Sequence, residues 1–178
     1  MRSALILVPL LVSPSWLAAP AAANPLEIGA SLGVNEDMSY QASSHALGVF
    51  GRIGLAPAIS GQLELAKLDN DQMGTAVRTG NALIVVDLGH GSLAPIALAG
   101  VGMDTTSDIN ADRRYAHAEL GAGLEYRALG GVTLGADVRI GTRKLVDDRE
   151  TGLLTAYEPL TLSAGDYRSA RITLGVTF

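Results

Sequence analysis

The three histidines of the chain, His45, His90 and His117, are the side chains best suited to acid–base catalysis. A hydrolase needs a nucleophile, a base and an orienting acid within hydrogen-bonding distance of one another. His45 follows two serines in a polar link, and His90 stands in a short glycine-containing connection. His117 lies two residues from Glu119 in a segment that alternates polar and apolar residues. Each is more simply explained as a polar strand or rim residue, so we predict no catalytic residue and no enzymatic activity.

Residues 69–80 begin like a calcium-binding loop. Asp69 and Asp71 stand at the first and third positions, and Gly74 stands at the sixth. The fifth position is Met73, however, and the twelfth is a glycine where such a loop requires a bidentate glutamate. We therefore predict no metal site here or elsewhere in the chain.

Two Gly-x-Gly pairs, which begin at Gly100 and Gly121, could suggest a turn that holds a nucleotide phosphate. In nucleotide-binding proteins such a turn joins a strand to a helix. Both pairs here lie inside alternating segments, and no helical pattern follows them. We therefore predict no bound cofactor.

Eight segments of the chain alternate between apolar residues and small or polar residues. This period of two is that of a β-strand with one apolar face. The segments are residues 26–34, 45–55, 60–67, 77–88, 93–103, 115–127, 132–140 and 167–178. The fifth is apolar on both faces, so its register stays open. Glycine inside these segments suits tilted, curved strands better than long helices.

The connections between the segments alternate in length. Three are short and rich in Gly, Pro and Ala, at residues 56–59, 89–92 and 128–131. Four are longer and polar, at residues 35–44, 68–76, 104–114 and 142–166. Short turns at one end and long loops at the other predict an all-β fold, an eight-stranded antiparallel up-and-down transmembrane β-barrel. The longest link, 142–166, is the expected contact surface for an extracellular ligand.

The N-terminus predicts a cleaved signal peptide. Arg2 supplies a positive charge, residues 4–12 are apolar, and three alanines at 21–23 form a small-residue cleavage site. We expect residues 1–23 to be removed on export, which leaves one domain at residues 24–178. The chain has no cysteine and a formal net charge of −5. Disulfides are thereby excluded, and nucleic acid is not an expected partner.

The polar faces of the segments carry acids and arginines on successive strands. These nine residues are Glu27, Arg52, Glu64, Asp87, Glu119, Glu125, Asp137, Arg139 and Arg171. Mixed charges suit a narrow lumen closed by ion pairs, because buried charges persist only when they are paired and hydrogen-bonded. We interpret them as a structural network that fills the lumen. A gated pore, in which an arginine exchanges carboxylate partners, stays open as an alternative.

The last twelve residues end on an aromatic residue. Ile172, Leu174, Val176 and Phe178 form one apolar face, and Arg171 lies on the other. A closing strand with a terminal phenylalanine resembles the C-terminal signal that the assembly machinery of outer-membrane barrels reads. The resemblance implies that these four residues form an assembly signal.

A second resemblance is more specific. The sequence GAGLEYRALGGVTLGADVRIG, at residues 121–141, resembles the penultimate hairpin of the OmpA-like, or OmpX-type, small outer-membrane β-barrel family. Residues 93–95 and 100–102 resemble the strand before it. The resemblance implies a bacterial outer-membrane location, with outer-membrane lipids and the barrel-assembly machinery as partners. It also implies a structural or surface-interaction role.

Two other functions remain open at this point. Some small barrels of this kind are lipid A-modifying enzymes, and His90-Gly91-Ser92 resembles the His-x-Ser of the deacylases. That motif falls in a predicted periplasmic turn, whereas lipid A lies in the outer leaflet. The second alternative is a soluble exported β-barrel that places its apolar face inside and binds an apolar ligand.

Overall fold

The computed structural model describes residues 25–38, 42–69, 76–89, 91–107, 111–150 and 164–178. The predicted signal peptide, at residues 1–23, lies outside these ranges. Residues 70–75 of the calcium-like segment and His90 lie outside them as well.

Eight β-strands follow one another along the chain. They are β1 (Leu26–Asp37), β2 (Ala42–Ala56), β3 (Ile59–Asp69), β4 (Ala76–Asp87), β5 (Leu93–Ser107), β6 (Ala111–Arg127), β7 (Val132–Glu150) and β8 (Gly165–Thr177). Each strand pairs antiparallel with its neighbours in sequence, and β1 pairs with β8 to close the barrel. The predicted fold class, eight strands in up-and-down order, is confirmed. Within the described residues, no helix is long and apolar enough to cross a membrane.

The alternating sequence of each strand divides its side chains between an outer wall and a lumen. On β8, Ile172 and Leu174 are exposed on the outside, and Arg171 and Thr173 are buried inside. The same division holds on β6, where Leu120 and Leu124 face outward. Apolar side chains in contact with the surroundings are stable in lipid and unfavourable in water. A soluble barrel with an apolar interior is therefore the wrong description of this fold.

The short connections form the tight turns that the sequence predicts. Residues 57–58 join β2 to β3, and residues 128–131 join β6 to β7. In the second turn the N–H of Ala128 donates to the carbonyl of Val132 at 2.8 Å. Gly130 and Gly131 have φ angles of 84° and 80°, a region that favours glycine. The glycine pair therefore permits this hairpin.

At the other end of the barrel, the strands are longer than the sequence predicts. β1 continues to Asp37, β5 to Ser107 and β7 to Glu150, so the predicted link 142–166 is partly strand. Beyond the apolar wall both faces of a strand meet polar surroundings, so the hydrophobic alternation disappears while backbone pairing continues. A register shift at Arg114/Tyr115 in the β6–β7 pairing marks a bulge in this extension.

The structure settles the register of β5. Leu93, Val101 and Met103 face outward, whereas Ile96 and Leu98 are buried inside. The inward residues pack with two from β4 into an apolar cluster, Leu83, Val85, Ile96 and Leu98. One side of the lumen is thus apolar, which explains why β5 shows no polar face in the sequence.

Candidate functional site

The centre of the lumen is occupied by the guanidinium group of Arg139 on β7. Its Nη2 lies 2.8 Å from Glu64 Oε1, its Nη1 lies 2.8 Å from Glu119 Oε1, and its Nε lies 2.6 Å from Asp137 Oδ1. Arg139 is only 2% exposed. Because β3 and β7 are four strands apart in an eight-stranded barrel, the Arg139–Glu64 pair joins opposite walls. The pair therefore crosses the bore.

Arg171 on β8 adds a second guanidinium group to this centre. Its Nη1 contacts Glu64 Oε2, and its Nη2 lies 3.9 Å from Glu119 Oε2. The hydroxyl of Tyr167 donates to Glu119 Oε2 at 3.0 Å. The central cluster, defined as Glu64, Glu119, Asp137, Arg139 and Arg171, therefore sets two arginines against three carboxylates, and neutral donors add further hydrogen bonds.

Two of those neutral donors reach Glu64, one from its own strand β3 and one from the neighbouring strand β4. Gln62 Nε2 donates to Glu64 Oε1 at 2.7 Å, and Asn81 Nδ2 donates to Glu64 Oε2 at 3.2 Å. A buried carboxylate is tolerated when its lone pairs are satisfied in this way. The geometry therefore gives Glu64 a complete set of partners without water.

A second group of charges lies toward the short-turn end. Arg52 Nη1 lies 2.5 Å from Glu125 Oε1 and 3.4 Å from Glu27 Oε2. Nearer the rim, Arg127 Nη2 lies 2.5 Å from Asp87 Oδ1 and 3.3 Å from Glu125 Oε2. All nine residues that the sequence assigns to the lumen thus line it, and each has an oppositely charged partner. Arg127 is an addition that the sequence analysis did not name.

A third group, toward the looped end, was missed by the sequence analysis. Arg143 Nε lies 2.8 Å from Asp104 Oδ2, and His117 Nδ1 lies 3.1 Å from the same oxygen. His117 Nε2 is 2.7 Å from Asn81 Oδ1, so both ring nitrogens face oxygen acceptors. The Arg143 guanidinium also stacks over the Tyr167 ring, 3.8 Å from its centroid. Continuing the inward parity of β7 from Arg139 would have found Arg143, but the sequence analysis ended that strand at Ile140.

These side chains fit because glycines lie beneath the largest of them. Gly141 stands opposite Tyr167 across the β7–β8 pairing. A Cβ added to Gly141 would lie 2.5 Å from Tyr167 Cζ, so the ring lies directly against the wall. A cavity of about 10 Å³ remains among residues that include Ser169 and Arg171. That space holds one water at most, and it offers no passage for a hydrated ion.

The hydrogen bonds of His117 go to Asp104 and Asn81, and no hydrogen bond joins a described histidine to a hydroxyl group. His45 is exposed on β2, where it pairs in register with Val34 and Asp69. His117 is buried in the lumen, and Ser92 is exposed in a short turn. Within the described ranges, no group of three or more His, Asp or Glu side chains could hold a metal ion.

The four residues of the predicted assembly signal lie on the outside of the seam between β8 and β1. Ile172, Leu174 and Val176 are exposed on the outer wall, and Phe178 is 79% exposed. The backbone N–H of Phe178 donates to the carbonyl of Leu26 at 2.9 Å. Their part in assembly stays a prediction.

An apolar outer wall around a lumen filled with paired charges defines a closed transmembrane β-barrel. No protein-family model and no curated protein sequence matches the chain. Among solved structures, the N-terminal β-barrel domain of Pseudomonas aeruginosa OprF is similar, with a TM-score of 0.57 and 17% identity. That match covers 87% of this chain and 98% of the OprF domain. Neisserial surface protein A has a TM-score of 0.64 at 10% identity, over 87% of this chain and 97% of its own.

Both of these proteins have the fold that this chain adopts. The predicted resemblance to small OmpA-like outer-membrane barrels is confirmed at the level of the fold. The apolar wall belongs in a bilayer, and in this architecture the bilayer is the bacterial outer membrane. The looped end is accordingly the extracellular end, and the short turns are periplasmic.

Proposed function

We propose that the protein is a non-enzymatic outer-membrane barrel with a sealed lumen, which acts through its architecture and its extracellular surface. The observation that carries this proposal is the bridge between Arg139 on β7 and Glu64 on β3. The bridge spans the bore at a point where further carboxylates and Arg171 surround it. A lumen filled in this way serves as an internal brace between opposite strands.

The free energy needed to open the lumen favours a closed barrel and disfavours a conducting pore. To conduct, the barrel must withdraw Arg139 from its carboxylates, which leaves buried charges without partners. Removing one partner from a buried ion pair costs about 3–5 kcal/mol. At about 1.4 kcal/mol per tenfold, the open population is roughly one molecule in a hundred to one in several thousand. The wild-type barrel is therefore expected to be closed nearly all the time.

Single-channel recording in a planar bilayer tests the plug. The wild-type protein should show no steady conductance, with at most brief openings. Arg139→Ala removes the bridge and should raise the open fraction, whereas Arg168→Ala alters an arginine on the outer wall and should not. Sustained conductance through the wild-type protein would contradict the sealed lumen and would favour the gated pore.

The state of the histidines supports the absence of enzymatic activity. Both ring nitrogens of His117 lie within hydrogen-bonding distance of other side chains, Nδ1 of Asp104 and Nε2 of Asn81. His45 lies on the outer face of the barrel and not in the lumen with His117. Mass spectrometry of lipid A from cells with and without the protein tests this part. The lipid A masses should be identical. The loss or gain of an acyl chain in cells that contain the protein would establish the lipid A-modifying alternative.

The outer-membrane location of the protein can be tested by cell fractionation and gel migration. Folded outer-membrane barrels migrate differently on a denaturing gel before and after heating. The protein should be recovered in the outer-membrane fraction with such a heat-dependent shift. Recovery in the soluble periplasm would contradict the outer-membrane location, whatever the state of the lumen.

A further inference from the structure

The exposed charged side chains of the described residues all lie near the looped end of the barrel. There are seven of them: Lys67, Asp69, Arg78, Arg114, Lys144, Asp166 and Arg168. Five of the seven are cations, although the whole chain has a net charge of −5. Among the exposed charged side chains that the structure describes, cations therefore outnumber acids at the extracellular border of the apolar wall.

Two of these cations already have carboxylate partners. Lys67 Nζ lies 2.7 Å from Asp69 Oδ1, and Arg168 Nη2 lies 2.8 Å from Glu36 Oε2. By contrast, Arg78, Arg114 and Lys144 form no ion pair or hydrogen bond that the described part of the structure contains. Arg114 does stand opposite the Asp147 carboxylate in the β6–β7 pairing, whereas Arg78 faces Lys67 and Thr105, and Lys144 faces Ala116. The three exposed cations can therefore reach an external anion, with the Asp147 carboxylate beside Arg114.

The strand register brings these three cations to one section of the outer wall. Arg78 on β4 pairs with Thr105 on β5, and Thr105 pairs with Arg114 on β6. With adjacent strands about 4.8 Å apart, the two arginines stand about 10 Å apart with a hydroxyl between them. Lys144 on β7 faces Ala116, two residues along β6 from Arg114. Long side chains at these positions can converge on one phosphorylated group.

Lys67 and Arg78 place two positive charges next to each other on adjacent strands, which favours a bound anion. These two residues stand directly opposite each other on β3 and β4. Like charges in that arrangement destabilise a sheet. A bound anion would offset the repulsion, since an arginine fork pairs well with phosphate oxygens.

The wall below the cations is apolar. Gly80, Met103 and Ala116 form the next outward row across β4, β5 and β6, and Ala82, Val101 and Ala118 form the row after it. Small residues on the outer strands flank a larger residue on β5 in both rows. A ligand that covers this section must be apolar along its length and anionic at its extracellular end.

We propose that Arg78, Arg114 and Lys144 bind the phosphates of an acylated glycolipid of the outer leaflet, chemically of the lipid A type. Its acyl chains lie along the apolar wall of β4 to β6, and Thr105 supplies a hydroxyl between the two arginines. A free phosphate would pair with the cations but would leave the apolar wall uncovered. The lipid satisfies both the cations and the wall, so the lipid is the occupant that the surface fits.

Native mass spectrometry of the full-length mature protein, purified in a nonionic detergent, tests this site. The probes are bisphosphorylated lipid A, the same lipid with both phosphates removed, and inorganic phosphate. The test variant combines Arg78→Gln with Arg114→Gln. The control is Arg168→Gln, which removes an exposed arginine that already has a carboxylate partner. Heat-dependent gel migration establishes that each variant is folded.

The wild-type protein should bind the bisphosphorylated lipid, and the double variant should bind it about tenfold or more weakly. Arg168→Gln should stay within about twofold of wild type. The dephosphorylated lipid should bind all three proteins weakly and equally. If the double variant does not fold, Arg114→Gln alone, compared with Arg114→Lys, takes its place.

Three results would overturn the proposal. The first is equal affinity of the wild-type protein for phosphorylated and dephosphorylated lipid. The second is an equal loss of affinity in Arg168→Gln and in the double variant, which would show only a general charge effect. The third is displacement of the lipid by inorganic phosphate at the same concentration, which would identify a phosphate site and not a lipid site.

Discussion

Replacing Arg139 by methionine removes the bridge across the lumen while keeping a long side chain of similar reach. The change deletes contacts to Glu64, Glu119 and Asp137, and it leaves three carboxylates around one remaining guanidinium. Loss of one partner from a buried ion pair costs about 3–5 kcal/mol. Because Arg171 stays in contact with Glu64 and near Glu119, we expect the lower end of that range, about 3 kcal/mol.

The matched control is Arg127→Met at the periplasmic rim. Arg127 contacts two carboxylates, but its side chain is 39% exposed, so water can hydrate Asp87 once the pair is lost, and Glu125 keeps its contact with Arg52. Surface pairs contribute about 0–1 kcal/mol, and we expect a loss in that range. The two variants therefore compare a buried arginine that contacts three carboxylates with a partly exposed arginine that contacts two.

Urea unfolding of the barrel in lipid vesicles measures both losses. The single tryptophan, Trp16, lies in the predicted signal peptide. Far-ultraviolet circular dichroism and the folded fraction on unheated gels are therefore the suitable signals. Adding Asp137→Asn to Arg139→Met should recover about 1 kcal/mol, since Asp137 is the carboxylate that loses its arginine partner, whereas Glu64 keeps Arg171. The reasoning is refuted if Arg139→Met costs no more than Arg127→Met, or if the second substitution makes the first one worse.

Three further changes probe the wall, the packing and the seam. Gly141→Ala places a methyl group against the Tyr167 ring and should cost about 1–3 kcal/mol in urea unfolding. Gly51→Ala projects into open space and should cost less than about 0.5 kcal/mol. Val101→Arg, on the lipid-facing wall, should cost about 2–4 kcal/mol in vesicles if Val101 lies near the bilayer midplane. Deleting Phe178 should lower the amount of barrel in the outer membrane and leave the urea midpoint of the folded fraction nearly unchanged; normal outer-membrane levels would contradict this.

The sequence predicted the fold wherever one face of a strand meets lipid and the other meets charge. On β6 and β8 these two environments impose opposite chemistry on alternate residues, so the period of two is visible in the sequence. The period of two is not visible on β5, because Ile96 and Leu98 pack against other apolar residues inside the lumen. Both faces are then apolar, and a single sequence cannot reveal which of them faces inward.

The missed part of the candidate site has a different physical cause. Asp104 and Arg143 lie beyond the predicted ends of their strands, where the outward residues turn polar. There the outer face no longer contrasts with the lumen, and the sequence resembles a polar loop. Pairing between strands still continues, since it depends on backbone hydrogen bonds and not on the type of side chain. The residues that face inward in this region are therefore visible only when the register is known.

From the distribution of its surfaces, we expect that any partner other than lipid would meet this protein at its extracellular end. The outer wall is covered by the bilayer, and the lumen is filled by the protein's own paired side chains. The periplasmic turns are short and offer little surface. By contrast, β6 and β7 are the longest strands, with 17 and 19 residues, and their pairing continues through a bulge to Ala111 and Glu150. This extension carries Arg114 and Lys144, so the same hairpin borders the proposed lipid site and projects toward the exterior.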